Sequence, residues 1–421
     1  MKKLIIALLV LKSSFANIVK ESLFVHDPLS THLQMIRSNP DLTVDHLNDD
    51  GYELYGPNGT SKWLKQIGID HDQMIFNTES LNGYPKSDEI ISQLRSLASA
   101  NPEIIKLIKI GESEKGQDLV FLKISDNPHI DELEPEVKLM ANMHGDEIMG
   151  REILLQFLED LVIEYRTNPE VKSLIDNTEL FVMPTMNPDG ADRRRRGNAN
   201  YVDLNRSFPD FTRPGDFRTP PKEVKAMMDF QKSRNFALSF NYHGGAVVVN
   251  YPWDTHDELH PENDLIVDLS KNYVQNTGYF LTRSRFKDAI TNGYQWYEVN
   301  GGMQDWSYHW YNDLQVTIEV SKRKWPNYRD RTYFYNENKE AIFNYIKSVH
   351  RGTGISLPHN TKIKVNTING EKVGEFQTYN NEFYKVLAPG DYKLNFRING
   401  TDKELELQIS EELKYRNFLK L

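Results

Sequence analysis

From about residue 84 onward the chain switches repeatedly between two hydrophobic periods. Apolar residues spaced three and four apart predict helices over residues 88–98, 147–165, 221–233 and 335–349. Short aliphatic, often β-branched runs predict strands over 119–124, 137–143, 179–183, 237–242 and 316–320. This alternation predicts an α/β domain over residues 84–353, with a mixed twisted sheet and helices on both faces. Past Gly352-Thr353-Gly354 the period shortens to two. Stretches at 362–365, 383–387, 392–397 and 405–409 are separated by Asn369-Gly370, Pro389-Gly390 and Asn399-Gly400, which predicts a small all-β sandwich over 354–421. Residues 17–83 are a polar lead-in or pro-segment. It has turn signals at Asn48-Asp49-Asp50-Gly51 and Gly56-Pro57-Asn58-Gly59, a strand-like piece at 52–55 and a helix-like one at 61–67.

The first 16 residues change the picture of where the protein works. Met1-Lys2-Lys3 is basic, residues 4–11 are uniformly apolar, and Ser13-Ser14-Phe15-Ala16 offers small residues for cleavage. This is the pattern of an export signal, and the apolar run is far shorter than the roughly 20 residues a bilayer span needs. A secreted or periplasmic protein is expected, with no membrane span once the signal is removed. There are no cysteines, so neither disulfides nor a cysteine-linked lipid anchor is available. The 421 residues carry 50 basic and 60 acidic side chains, a formal charge of -10, which argues against a nucleic-acid partner. Sequons stand at Asn58, Asn205 and Asn399.

Candidate chemistry sits where predicted strands end. His144-Gly145-Asp146-Glu147 joins a predicted strand to a predicted helix, so an imidazole and a carboxylate can turn toward one point. His243 follows another predicted strand and precedes Gly244-Gly245. In open α/β sheets ligands gather beyond the carboxyl ends of strands, and two histidines with one carboxylate there make a zinc site with a position left for water. Glu319 lies within Val316-Thr317-Ile318-Glu319-Val320. A carboxylate in so apolar a strand is costly unless used, although alternation could equally turn it to solvent with Thr317.

Together these stretches resemble the zinc metallocarboxypeptidases, in particular the regulatory branch of carboxypeptidases N, E, M and D. The resemblance runs through Gly111-Glu112-Ser113-Glu114-Lys115-Gly116, Leu122-Lys123-Ile124-Ser125-Asp126-Asn127-Pro128, the His144 motif, Met186-Asn187-Pro188-Asp189-Gly190, Asp203-Leu204-Asn205-Arg206-Ser207-Phe208-Pro209, the stretch from His243 to Asp254, and Gly301-Gly302-Met303-Gln304-Asp305. The tail resembles the transthyretin-like β-domain of that branch. The resemblance implies one zinc ion per chain, held by His144, Glu147 and His243, with Glu319 as general base. It implies Arg196 as the cation that meets the developing oxyanion and Asn205 with Arg206 as the clamp on the substrate's terminal carboxylate. Tyr297 matches a tyrosine that closes over substrate, and Asp254 with Gln304 the floor of the side-chain pocket. The expected activity is removal of C-terminal Lys or Arg from peptides or proteins. A peptidoglycan-peptide-trimming relative and an inactive peptide-binding homologue are the alternatives. Two positions depart from the branch: Asp146 stands where Asn is common, and Gln117 where Arg is common after Gly116.

Overall fold

A computed structural model describes residues 18–74, 81–214, 219–378, 381–410, 412–415 and 418–419. The expected export signal lies outside the described residues, and among these no helix is long and apolar enough to cross a membrane.

The lead-in folds on its own core. Strands β1 (Glu21–His26), β2 (Thr43–Asn48), β3 (Gly51–Gly56) and β4 (His71–Gln73) form an antiparallel sheet in the order β2-β3-β1-β4. Helices Leu33–Arg37 and Thr60–Gln66 close it, burying Leu23, Val25, Ile36, Leu54 and Leu64. The β2–β3 turn uses the Asn48 side chain, whose oxygen accepts from the backbone N–H groups of Asp50 and Gly51. Gly51 has φ +149°, and a Cβ there would lie 1.9 Å from the Val25 carbonyl oxygen, so only glycine fits. The pairing of β2 with β3 slips between Asp45 and Asn48, and His46 takes φ 44° inside that bulge. A bulge re-aims side chains. Here it turns Asp45 and His46 out of the small sheet.

The central sheet has eight strands: β5 (Ile105–Glu112), β6 (Asp118–Ile124), β7 (Glu136–Ala141), β8 (Glu179–Met183), β9 (Phe236–His243), β10 (Val247–Tyr251), β11 (Ile290–Asn292) and β12 (Leu314–Val320). Their order is β11-β10-β12-β9-β7-β8-β6-β5. The run β12-β9-β7-β8 is parallel, while β10 with β12, β5 with β6 and β6 with β8 are antiparallel, so the sheet is mixed as expected. Both faces are covered. Leu139 and Ala141 of β7 point into one core, which takes in helices Ser87–Ala100, Met149–Thr167, Asn263–Gln275 and Arg331–Lys347. Met140 points into the other, with helices Lys222–Gln231 and Met303–Tyr311. The tail supplies a second β layer pair: β13 (Gly352–Ser356), β14 (Lys362–Thr367), β15 (Lys372–Gln377), β16 (Glu382–Val386), β17 (Gly390–Ile398), β18 (Thr401–Ile409) and β19 (Phe418–Leu419). They form sheets β16-β13-β19 and β15-β14-β17-β18 around Ile355, Ile363, Val365, Phe383, Leu394 and Phe396.

One sequence expectation shifts at the site. The strand predicted to reach residue 143 stops at Ala141, and the helix predicted from 147 starts at Met149. Asn142, with φ 58°, breaks the strand, and its side-chain amide donates to the His144 carbonyl at 2.9 Å. Glu147 therefore stands in a tight loop before the helix, not in its first turn.

Lys138 on β7 is wholly buried, 2.8 Å from Asp313 and 2.8 Å from the Gln231 side-chain oxygen. Breaking such a pair from one side leaves an uncompensated charge. Asp313→Ala is expected to lower stability in urea unfolding by about 3–5 kcal/mol. Lys138→Met with Asp313→Leu together should cost much less than that.

Candidate metal centre and substrate cleft

The functional side chains converge on the carboxyl ends of the parallel strands. The loop after β7 is held against the loop before Arg196 by backbone approach: a Cβ on Gly145 would sit 2.2 Å from the Gly190 carbonyl carbon. The Asn187 side-chain amide ties the two loops, donating to the Met143 carbonyl at 3.1 Å and the Arg196 carbonyl at 3.2 Å. His243 ends β9, and Glu319 on β12 is its in-register parallel neighbour. Neighbours in register share a face of the sheet, so Glu319 faces the site and not solvent; it is 3% exposed.

His144 Nδ1 lies 3.1 Å from His243 Nδ1 and 3.1 Å from Glu147 Oε2, and His243 Nδ1 lies 2.9 Å from the same oxygen. Zinc ligands about 2.0–2.2 Å from a tetrahedral metal are separated by little more than this, and two imidazoles with one carboxylate are an established catalytic zinc set. The donor set fits the ion. The far side of His144 reinforces it, because Nε2 lies 3.1 Å from Asp203 Oδ1. Donating a proton there leaves the lone pair on Nδ1, where a metal needs it.

Arg196 is the buried member of the run Arg193 to Arg196. Its Nε donates to Asp203 Oδ2 at 2.9 Å and its Nη1 to Glu147 Oε1 at 3.3 Å, while its plane covers the Tyr55 ring at 4.7 Å. Its partners Arg194 and Arg195 lie over Trp325 and Tyr201. Burial would raise the Asp203 carboxyl, but Arg196 and His144 hold it well below the usual range. Arg196 also pairs with Asp45, and Asp45 accepts the Tyr297 hydroxyl proton. Arg206 Nη1 donates to the Asn205 carbonyl at 3.0 Å and Nη2 to the Val44 carbonyl at 3.4 Å.

Beside this lies a closed carboxylate. Asp254 is 2% exposed, and its Oδ1 accepts from Asn250 at 3.1 Å and from Gln304 at 3.2 Å. Gly293 leaves room for it, since a Cβ there would lie 1.6 Å from Oδ1. Gly302 borders both Asp254 and Asn205, 3.7 Å from each by the same measure. Burial pushes the Asp254 carboxyl up to about 6, the Asn250 hydrogen bond and Arg206 limiting the rise. The neighbouring Asp305 accepts the backbone N–H groups of Asp254 and Thr255 at 2.9 Å each.

The ten residues singled out from the sequence thus lie along one cleft. Arg196, Tyr297, Glu319 and Glu147 lie against the Asp45–His46 bulge, and Arg206 reaches the preceding Val44 carbonyl. Sequence reasoning did not assign Asp203, although it quoted the motif that contains it. It also missed Asp305, which adjoins Gln304, and Lys324, whose Nζ is 2.8 Å from Glu53 and 3.4 Å from Glu147. Asp45 and His46 carried no signal, being polar residues in a polar segment. Gln117 spends its amide on Asp189 and Asp192, both at 3.1 Å. Asp146 is 1% exposed, and burial raises its carboxyl with Lys324 as the main opposing charge.

Two histidines and one carboxylate at the carboxyl ends of a mixed α/β sheet make a candidate mononuclear metal centre. Residues 90–345 match the zinc carboxypeptidase family, peptidase M14, and the chain belongs to that family. It is a zinc-dependent metallocarboxypeptidase using one zinc ion. The chain is 35% identical to mouse carboxypeptidase M over 346 residues, covering 74% of this chain and 77% of that protein. It is 34% identical to the mouse carboxypeptidase N catalytic chain over 371 residues, covering 75% and 80%. It is 36% identical to human carboxypeptidase D over 341 residues, 73% of this chain but only 24% of that longer protein. These relatives place it in the regulatory branch. Solved structures of carboxypeptidase A from Helicoverpa armigera (TM-score 0.62, 17% identity, 78% of this chain and 97% of that one) and of thrombin activatable fibrinolysis inhibitor (0.59, 17%, 79% and 98%) share the fold.

His243→Ala is expected to lose the zinc that wild-type protein carries through gel filtration, as read by metal analysis. Asp203→Asn should keep the fold and weaken zinc about 10–100-fold in chelator competition, the usual effect of losing a ligand's supporting carboxylate.

Proposed function

We propose that this enzyme removes C-terminal Lys or Arg from peptides or proteins outside the cytoplasm. The observation that carries the specificity is Asp254, a buried carboxylate that accepts from the neutral side chains of Asn250 and Gln304, with Arg206 near enough to act on its charge. A substrate ammonium or guanidinium would pair with it, whereas an apolar side chain would leave it buried and unpaired. In this reading His144, Glu147 and His243 would hold zinc, which when bound would supply Lewis-acid chemistry for the scissile carbonyl and the attacking water. Asn205 and Arg206 grip the terminal carboxylate, and Tyr297 closes over the residue that leaves. Glu319 takes a proton from the attacking water and passes it to the leaving nitrogen as the C–N bond breaks. Arg196 meets the negative charge that grows on the carbonyl oxygen. Export rests on the basic and apolar pattern of the first 16 residues.

Mass spectrometry of digested peptides tests the substrate class. The kcat/KM for C-terminal Arg or Lys should exceed that for Leu or Phe by at least about tenfold, and Asp254→Ala should remove most of the margin. A wild-type preference for Leu or Phe would defeat this reading. Because only the ionised carboxylate pairs, the Arg-to-Leu ratio should fall as pH drops through about 6. Effects on zinc and on Glu319 are common to both substrates and cancel in that ratio. Glu319→Gln should retain zinc yet turn over about 10²–10⁴-fold more slowly.

A further inference from the structure

We infer that Asp305 is a positioning residue for selection of the basic side chain: it occupies the backbone donors around Asp254, which keeps the Asp254 carboxylate in place and available to a substrate cation. The inference rests on Asp254 being the selector of that side chain and extends the selection to the residue that holds it. Asp305 is buried, and both of its oxygens face the Asp254–Thr255 backbone. Oδ2 accepts the N–H groups of Asp254 and Thr255 at 2.9 Å each, and Oδ1 lies 3.1 Å from the Asp254 nitrogen. From the opposite end, the Asp254 carbonyl accepts the Val299 N–H at 2.9 Å. The backbone of Asp254 is therefore fixed at its donor and at its acceptor. Asp305 follows Gln304 in the first turn of helix Met303–Tyr311, so one helical turn holds Asp254 twice, by its side chain and by its backbone.

The occupied donors decide what the Asp254 carboxylate can do. An aspartate side chain readily turns back onto backbone N–H groups close to it in sequence. Two others in this chain do so: Asp45 Oδ1 accepts the His46 N–H at 3.0 Å, and Asp88 Oδ1 accepts the Glu89 N–H at 2.9 Å. At Asp254 the equivalent donor is the Thr255 N–H, and Asp305 has taken it. The Thr255 hydroxyl is engaged elsewhere, 3.0 Å from Asp210 Oδ2 and 2.9 Å from Asn300 Oδ1. Asp254 Oδ1 rests on the two neutral amides, and Oδ2 lies on the Gly302 side, toward Asn205. A carboxylate suits the place of Asp305 because it offers acceptors on both oxygens to a surface that presents N–H groups. The arrangement sets two carboxylates side by side. Burial and the charge of Asp254 push the Asp305 carboxyl well above the usual range, with the two N–H bonds opposing the rise. A cation brought to Asp254 by substrate relieves that repulsion, whereas an apolar side chain leaves it in full.

The test uses the full zinc-loaded chain and two peptides that differ only in ending with Arg or Leu. Asp305→Ala and Asp305→Asn are compared with wild type by circular dichroism, melting and zinc content, then assayed for kcat and KM on each peptide. Asp305→Ala should lower kcat/KM for the Arg peptide about tenfold or more while that for the Leu peptide stays within about threefold. Asp305→Asn, which keeps one acceptor oxygen and nearly the same size, should fall between and carries the test if the Ala variant does not fold. Competitive inhibition by free L-arginine should weaken in parallel, because it reads the pocket without the chemical step. Asp313→Ala, which breaks the buried pair with Lys138, is the control: it should lower stability and leave the Arg-to-Leu ratio within about twofold. Equal losses on both peptides, or a ratio within about twofold of wild type in the folded Asp305 variants, would overturn the inference. A wild-type preference for the Leu peptide would instead defeat the reading of Asp254 itself.

Discussion

Arg196 is the point on which the rest of the cleft depends. A guanidinium 2% exposed is costly unless its charge is compensated, and here the carboxylates of Asp203, Glu147 and Asp45 lie against its Nε and Nη1. Each carboxylate has a second task. Asp203 orients His144, Glu147 belongs to the metal set, and Asp45 belongs to a different module. The cation that would stabilise charge in the reaction therefore also borders the candidate metal set and pairs with the N-terminal module. Its loop is held by the Asn187 side chain, which donates to the Arg196 carbonyl, and by the close pass of Gly145 by Gly190.

Much of this was legible in the sequence because it was written in apolar runs. The strand at Glu179–Met183 falls on the predicted residues, the strand at Asp118–Ile124 starts one residue early, and Phe236–His243 extends one residue beyond prediction at each end. All are buried on both faces, so continuous apolar runs identified them. The residues past their carboxyl ends were readable for the same reason, since a polar residue abruptly following such a run has to be positioned there. Glu319 was ambiguous because alternation does not state which face is in; the parallel register with His243 decides it.

What was not legible was created by tertiary approach. Strands β1, β2 and β4 of the lead-in are short and mixed in polarity, and β10 and β11 carry little periodic signal over five and three residues. Asp45 and His46 look like residues of a solvated turn. Their burial comes from the docking of one core against another, which no local pattern records. Asp203 shows the intermediate case. It stood in a recognised motif, yet its role appears only once His144 and Arg196 are seen on its two oxygens.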